Sequence, residues 1–325
     1  MAAQWRARKP ARRCRADRRV TTPAVTHSVR KPSSIGSSTG AILAVLAALS
    51  WGMATVMSKG ALEAFAPIFL LVVQLAASVV CLWGMILVRK RPSHPIAFRT
   101  VARFAALGLL EPGLAYLLDL IGLEHTQAST ATLILSTESL MIMALSALLF
   151  GERLSVRFML LSIIAAAGLY LALGASLVDA GSGAMWGNAL VFAGSACAAL
   201  YVVLSARIAA DADPITIVAW QQTVALGFAL AMLPWEWIWR PASHKLPTAP
   251  ELWLLAASSG VVQYALAFSL YMAALRRVRV SLAGGFLNLV PLFGFAGASL
   301  FLQEAISWQQ LVGAILTVTA VTLMN

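Results

Sequence analysis

Long apolar runs fill the chain from about residue 40 to its last residues. Each run is about 20 residues long, the length with which an α-helix crosses the hydrocarbon core of a bilayer. Short gaps containing Gly, Pro, Ser or charged residues separate the runs. The pattern predicts an all-α polytopic membrane protein with ten transmembrane helices. The predicted spans are 40–58, 67–88, 102–121, 127–150, 156–178, 185–206, 214–233, 252–272, 280–302 and 307–324.

Composition agrees with a membrane location. Hydrophobic residues make up 60% of the 325 residues and charged residues only 11%, whereas a soluble domain carries about 25% charged residues. Ten of the 24 Lys and Arg residues lie in the first 40 residues, among Pro, Ser and Thr. A segment of this composition cannot bury enough surface to fold, so we predict that residues 1–39 form a disordered basic tail. Because no basic surface remains without the tail, we expect no nucleic-acid partner.

The second half of the chain repeats the first. A shift of 152 residues places 108–173 on 260–325 without a gap, and 15 of the 66 positions are identical. A shift of 147 residues aligns Pro67 with Pro214 and Gln74 with Gln221. We therefore predict two five-helix repeats, 40–180 and 181–325, after the tail.

An odd number of spans in each repeat inserts the two copies in opposite orientations. The basic residues support this arrangement, because Lys and Arg concentrate in cytoplasmic loops. With the tail inside, 21 basic residues lie on the cytoplasmic side, and only Lys59, Arg240 and Lys245 lie outside. We expect both termini in the cytoplasm and a location in the bacterial inner membrane. Inverted repeats are typical of secondary transporters, whose substrate site lies near the bilayer midplane.

Three groups of residues form recognisable motifs: Leu49–Gly52 with Ser58 and Lys59, Phe150–Ser155, and Asn288–Leu292 with Leu302–Glu304 and Gly313. They resemble the EamA family of the drug/metabolite transporter superfamily. The resemblance covers residues 40–325 and implies ten helices in two inverted repeats that move a small metabolite or drug-like compound. The chain differs from the usual family pattern at Ser139, where a proline is common, and at Gln74, where an arginine is common.

Two carboxylates lie near the centres of predicted spans. Glu111 is in the third span and Glu138 in the fourth, so antiparallel helices bring them to similar depth. Their counterparts in the second repeat are Gln263 and Val290. Charged groups at bilayer depth are costly and mark functional sites by default. Burial and a neighbouring negative charge both disfavour ionisation of a carboxyl group, so we expect proton coupling here. The alternative is a neutral Glu hydrogen-bonded to a neighbouring helix or to the Gly108 carbonyl, which Pro112 would free.

Other polar and aromatic residues are candidates for lining a substrate cavity, although such residues also hold membrane helices together. We expect structural roles for Glu152, Glu304 and Pro291, the two glutamates meeting free N–H groups at helix starts. Asp119 lies close to the outer end of its span, where we expect it to be solvated. The further binding candidates are Gln74, Tyr116, Gln221, Gln263, Tyr264, Asn288 and Trp51.

The favoured function is a secondary active transporter with a small-molecule substrate, the lipid bilayer as environment and protons as the coupling ion. The four histidines are scattered and no nucleotide-binding or hydrolase motif occurs, so we expect neither an enzyme, a cofactor nor a metal site. An uncoupled facilitator or channel, and a membrane-embedded enzyme, remain the alternatives. The sequence does not predict the substrate, the direction of transport or the oligomeric state.

The predicted topology can be tested by single-cysteine labelling after Cys14, Cys81 and Cys197 have been replaced. A cysteine in the 240–247 loop should react with a membrane-impermeant reagent applied from outside, and Arg277→Cys should react only from the cytoplasmic side. Labelling of the 240–247 loop from the cytoplasm alone would falsify the inverted arrangement.

Overall fold

The computed structural model describes residues 34–89, 98–150, 156–208, 213–240, 246–275, 277 and 286–324. Every regular element in these ranges is helical, which confirms the predicted all-α class for this part of the chain. Residues 1–33 of the predicted tail lie outside it. The helices are α1 (Ser34–Ala61), α2 (Pro67–Val88), α3 (Phe98–Leu107), α4 (Ala115–His125), α5 (Ala128–Leu135), α6 (Glu138–Phe150), α7 (Val156–Ile208), α8 (Pro214–Trp239), α9 (Pro250–Gly260), α10 (Ala267–Leu275), α11 (Val290–Phe301) and α12 (Trp308–Met324).

Seven helical segments are long and apolar enough to cross a membrane, so the chain is a multi-pass integral membrane protein. They fall on the first four predicted spans and on the sixth, seventh and eighth. Two shorter apolar helices, Met159–Ala172 and Val290–Phe301, fall on the fifth and ninth spans, and α12 falls on the tenth. The full count of ten stays a prediction. The seven segments are Ser38–Ala61, Pro67–Val88, Ala105–His125, Ala128–Leu149, Gly183–Leu204, Ile215–Trp239 and Pro250–Ala274.

Two boundaries differ from the prediction. Helix α1 begins at Ser34, six residues before the predicted span, because backbone hydrogen bonding continues past the apolar run. Helix α7 is continuous over 53 residues and contains both the fifth and sixth predicted spans as well as the predicted repeat boundary at residue 180. Glycine and serine between those spans weaken a helix but do not stop it as proline does.

Matching spans of the two halves are interrupted at matching places. A π-helical segment, Leu109–Leu114, separates α3 from α4, and a second one, Val261–Leu266, separates α9 from α10. Each boundary of the second segment lies 152 residues after that of the first. Helices α6 and α11 begin at Glu138 and Val290, which are also 152 residues apart.

Packing in the two halves follows the same correspondence. Helix α8 packs against α3 and the first π-helical segment, and α2 packs against α9 and the second. At the closest points, Gly108 lies on the backbone of Gln221 in α8, and Gly260 lies on the backbone of Gln74 in α2. A Cβ at either glycine would overlap the facing carbonyl oxygen. Glycine is therefore required where each interrupted span crosses its partner.

Gly260→Ala should destabilise the protein by about 1–3 kcal/mol or more, because the obstacle is backbone that cannot rotate away. Gly84→Ala is the matched control in α2. No other group lies within 4 Å of its added Cβ, and alanine favours a helix by up to about 1 kcal/mol over glycine. Thermal unfolding of both variants in detergent measures the difference, and equal melting temperatures would contradict the close crossing.

Candidate functional site

Glu111 lies inside the first π-helical segment. Its backbone is extended (φ −142°, ψ 126°) and its side chain is 8% exposed. Pro112 has no N–H group, and the Gly113 N–H donates instead to the Gly108 carbonyl at 2.8 Å. The Gly108 carbonyl therefore already accepts a hydrogen bond. This removes the reason for expecting Glu111 to donate to that carbonyl.

The second π-helical segment brings Gln263 and Tyr264 to the same region. The rings of Tyr116 and Tyr264 meet edge to face, with centroids 4.8 Å apart. Tyr264 is 1% exposed and Gln263 is 7% exposed. The Oε1 atom of Gln263 is buried and has no hydrogen-bond partner among the described residues. Tyr116 of the first half and Tyr264 of the second thus contact each other, with Gln263 next to Tyr264 in the chain.

Glu138 is the first residue of α6, at the break in the fourth predicted span. The Ser136 and Thr137 hydroxyls there donate to the Leu133 and Ile134 carbonyls at 2.6 and 2.7 Å. Such side-chain bonds compete with helical backbone pairing and bend helices. The span is therefore interrupted although it lacks the proline of the family pattern.

Three carboxyl groups lie within electrostatic range of one another. Glu111 interacts electrostatically with Glu138 and Asp119, and Asp119 also interacts with Glu138. The expectation that Asp119 is solvated is wrong for its Oδ1 atom, which is shielded from solvent and lacks a partner in the described part of the chain. This oxygen lies against Gly194 of α7, where any Cβ would overlap it. Asp119 thus joins the predicted pair Glu111 and Glu138.

Aromatic rings lie beside the carboxyl groups. Trp51 of α1 packs edge to face on Phe268 and Tyr271, at centroid distances of 5.2 and 5.6 Å. Tyr271 lies within electrostatic range of Glu138, whereas Tyr116 and Tyr264 lie within electrostatic range of Glu111 and Asp119. The indole N–H of Trp51 is buried without a partner among the described residues. The site therefore combines acidic groups with five aromatic side chains.

Two of the predicted glutamines hold helices together. Gln74 is fully buried, and its amide donates to the Ser58 and Ser259 hydroxyls at 2.8 Å each. Gln221 accepts a hydrogen bond from the Tyr201 hydroxyl at 3.1 Å. Gln222 accepts from Ser78 and donates to the Tyr264 carbonyl at 3.1 Å. These contacts join α1, α2, α7, α8 and α9 around the site.

The remaining candidates lie around α11. Asn288 is 3% exposed, and its amide nitrogen has no partner within the described ranges. Pro291 lies in the first turn of α11, where its missing N–H removes no helical hydrogen bond. Glu152 lies outside the described residues. Glu304 accepts from the Ala128 and Ser129 N–H groups at 2.8 and 3.1 Å. It therefore binds the start of α5 and not the start of α12, the next helix in the chain.

Polar contacts tie together the end of the molecule at which α1, α4 and α8 finish, which we call the capped end. Lys59 donates to the Leu123 carbonyl at 2.7 Å, and Arg240 donates to Glu124 at 2.6 Å. The Glu124 carboxylate raises the pKa of the Arg240 guanidinium, so this pair stays charged. Glu236, which the sequence patterns did not single out, accepts from the Ile68 and Phe69 N–H groups at the start of α2.

Apolar membrane-crossing helices around a buried polar centre define a membrane protein built to handle a small polar or charged group. The profile of the EamA-like transporter family matches residues 38–174 and again residues 185–325. The chain belongs to this family, and the resemblance to the drug/metabolite transporter superfamily is confirmed. It is a multi-pass membrane protein of a transporter family.

Relatives of the chain occur in plants, archaea and bacteria. A WAT1-related chloroplastic protein of Arabidopsis thaliana is 23% identical over 85% of this chain. Uncharacterized transporters of Methanothermobacter thermautotrophicus and Bacillus subtilis are 31% and 26% identical over 66% and 76% of it. The matches span 66%, 62% and 83% of these relatives. A crystal structure with a TM-score of 0.63 and 18% identity covers 89% of this chain and 96% of its own, which shows the fold alone.

Glu304→Ala should lower the stability of the protein by about 0.5–2 kcal/mol, the cost of losing a side chain that accepts from free N–H groups at a helix start. Glu63→Ala is the control, because Glu63 is an exposed residue in the turn after α1. Melting temperatures in detergent compare the two variants. Equal values would mean that the contact with α5 contributes nothing measurable.

Proposed function

We propose that this protein is a proton-coupled secondary transporter that moves a small metabolite or drug-like compound by alternating access. In this proposal the chain forms two inverted five-helix repeats, and the substrate site lies between them at the carboxyl groups of Glu111, Asp119 and Glu138. The protein lies in a bacterial inner membrane with both termini in the cytoplasm. An uncoupled facilitator with the same site is the second candidate.

The paired helix interruptions support the two-repeat arrangement. Transporters built from inverted repeats bind substrate and coupling ion near the bilayer midplane, at helices broken in corresponding positions of the two halves. Here the π-helical segments correspond across the 152-residue shift, and so do the starts of α6 and α11. π-helical turns also occur frequently at functional sites.

The main support for ion coupling is that the two halves differ in their ionisable side chains. At the corresponding positions of the two π-helical segments stand Glu111 and Gln263, and at the corresponding helix starts stand Glu138 and Val290. The backbone is thus repeated while the ionisable groups belong to one half. Acidic side chains inside transport proteins serve as proton relays, and mutual repulsion makes it costly for neighbouring carboxyl groups to ionise together.

The capped end supports an alternating-access cycle. Its contacts join α1 to α4, α4 to α8, α8 to α2 and the segment before α12 to α5. In this proposal the capped end lies outside the cell, which the distribution of basic residues supports. In the proposed cycle these contacts separate when the site opens to the outside, and they hold that side shut in the conformation described here.

The test of coupling begins with a substrate found by comparing export and resistance, over a metabolite and toxin panel, in cells with and without the protein. Proteoliposomes then report accumulation driven by a proton gradient and exchange at equilibrium. Glu111→Gln should abolish accumulation and preserve exchange, because the other half already carries glutamine at this position. Glu251→Gln, an exposed residue at the start of α9, is the control and should retain both activities.

Three results are informative. Loss of accumulation with exchange preserved supports coupling through Glu111. Accumulation and exchange both unchanged in Glu111→Gln would overturn it. Exchange in the wild-type protein without any gradient-driven accumulation would establish the uncoupled facilitator.

A further inference from the structure

Most of the described basic side chains lie at or near helix ends, away from the three central carboxyl groups. Lys59 and Arg240 bind groups of the capped end, and Arg157 donates to the Leu323 carbonyl at the end of α12. Arg89 follows the last residue of α2. Arg103 and Arg277 are exposed, in the middle of α3 and after α10. No lysine or arginine whose side chain the structure describes is therefore seen to pair with the three acidic groups.

The centre also has unused hydrogen-bond acceptors. Gln263 is more than nine-tenths buried and precedes Tyr264, whose ring contacts Tyr116. Its Oε1 atom and the Oδ1 atom of Asp119 are both buried without a donor among the described residues. Leaving a buried acceptor unpaired destabilises the protein, and an unpaired charged group does so more strongly. A ligand that donates N–H groups would supply what these oxygens lack.

An anionic ligand has no matching partner at this centre. Gln74 stands where the family often has an arginine, and its amide nitrogen is already bound to two serine hydroxyls. The unpaired donors of Trp51 and Asn288 are neutral. A neutral donor does not compensate the transfer of a carboxylate from water to bilayer depth beside three acidic groups. This excludes simple anions and disfavours zwitterions.

The aromatic side chains indicate the shape and character of the ligand. Tyr116 and Tyr264 form one edge-to-face pair, and Trp51 contacts Phe268 and Tyr271 in a second group. Both groups border carboxyl groups. Aromatic faces attract organic cations and pack against flat apolar rings.

We propose that the central site binds organic cations that carry N–H donors and an aromatic ring, and that it rejects the corresponding anions and zwitterions. The ammonium group lies at Asp119 and Glu138 with Gln263 as a further acceptor, Glu111 remains the proton-coupling group, and the ring packs on the tyrosines and Trp51. The inference rests on the proposed function, since it takes the region between the two halves as the substrate site.

The test uses four probes that share an indole ring and differ in charge. At neutral pH tryptamine is a cation and tryptophan is a zwitterion. Indole-3-acetate is an anion, and indole-3-ethanol is neutral. Binding to the purified full-length protein is measured by isothermal titration calorimetry in detergent, with a titration into empty micelles subtracted. We expect tryptamine to bind at least about tenfold more tightly than each of the other three, because only tryptamine pairs with the carboxyl groups and carries no negative charge.

Two variants test the assigned carboxyl groups separately. Asp119→Asn and Glu138→Gln should each weaken tryptamine binding at least about tenfold and leave the weak binding of indole-3-ethanol unchanged. Glu63→Gln is the matched control and should bind tryptamine like the wild-type protein, because Glu63 is exposed in the turn after α1. Elution volume and melting temperature identify a variant that fails to fold, and the other variant then provides the test.

Absence of tryptamine binding, equal binding of tryptamine and indole-3-acetate, or tryptamine binding that neither variant weakens would each overturn the cation proposal. Because binding is measured at equilibrium without a gradient, it does not depend on proton coupling. Selective tryptamine binding without gradient-driven accumulation would leave the cation site standing and remove the coupling. Coupled transport of a panel compound without tryptamine binding would support proton coupling and overturn the cation site.

Discussion

Backbone touches backbone at two points in this protein, where Gly108 crosses Gln221 and Gly260 crosses Gln74. The contacts bring α8 and α2 against the interrupted spans of the opposite halves, and every other feature of the centre depends on them. Gln74 and Gln222 can bond neighbouring helices only because these helices lie so close. Near these crossings Tyr116 of α4 meets Tyr264 of the second π-helical segment.

A membrane restricts where such interruptions can occur. Non-helical backbone is tolerated at membrane depth only where it is buried in protein or lines a cavity, since lipid offers no hydrogen bonds. The extended residue Glu111 and the break before Glu138 meet this condition, with Gly108, Ser136 and Thr137 paired locally. Both interruptions carry a carboxyl group, and both are flanked by helices of the other half. The positions at which a helix can be interrupted inside the membrane are therefore also positions at which a carboxyl group can be buried in protein.

Much of the fold could be predicted from the sequence, because the length of an apolar run is set by bilayer thickness. Helix α2 occupies the predicted span from 67 to 88, and Glu111 stands out as a charge within an apolar run. The properties that depend on distant helices could not be predicted. Asp119 is shielded by Gly194, 75 positions further along, and Glu304 meets the start of α5 across a separation of 176 residues. No local sequence pattern predicts either contact. The continuity of α7 could not be predicted either, because the glycines between its two apolar runs are typical of a loop.

The matching halves bear directly on the proposed alternating-access cycle. Gly108 and Gly260 correspond, and so do Gln221 and Gln74, which means that the crossings are built alike in both halves. Two halves that pack alike are what the proposed cycle requires, because the site between such halves can open alternately to either side. The ionisable groups do not share this correspondence, since Glu111 has Gln263 as its counterpart and Glu138 has Val290. Because the crossings are shared and the charges are not, we expect substitutions at the carboxyl groups to change ligand binding at the proposed site without changing how the halves pack.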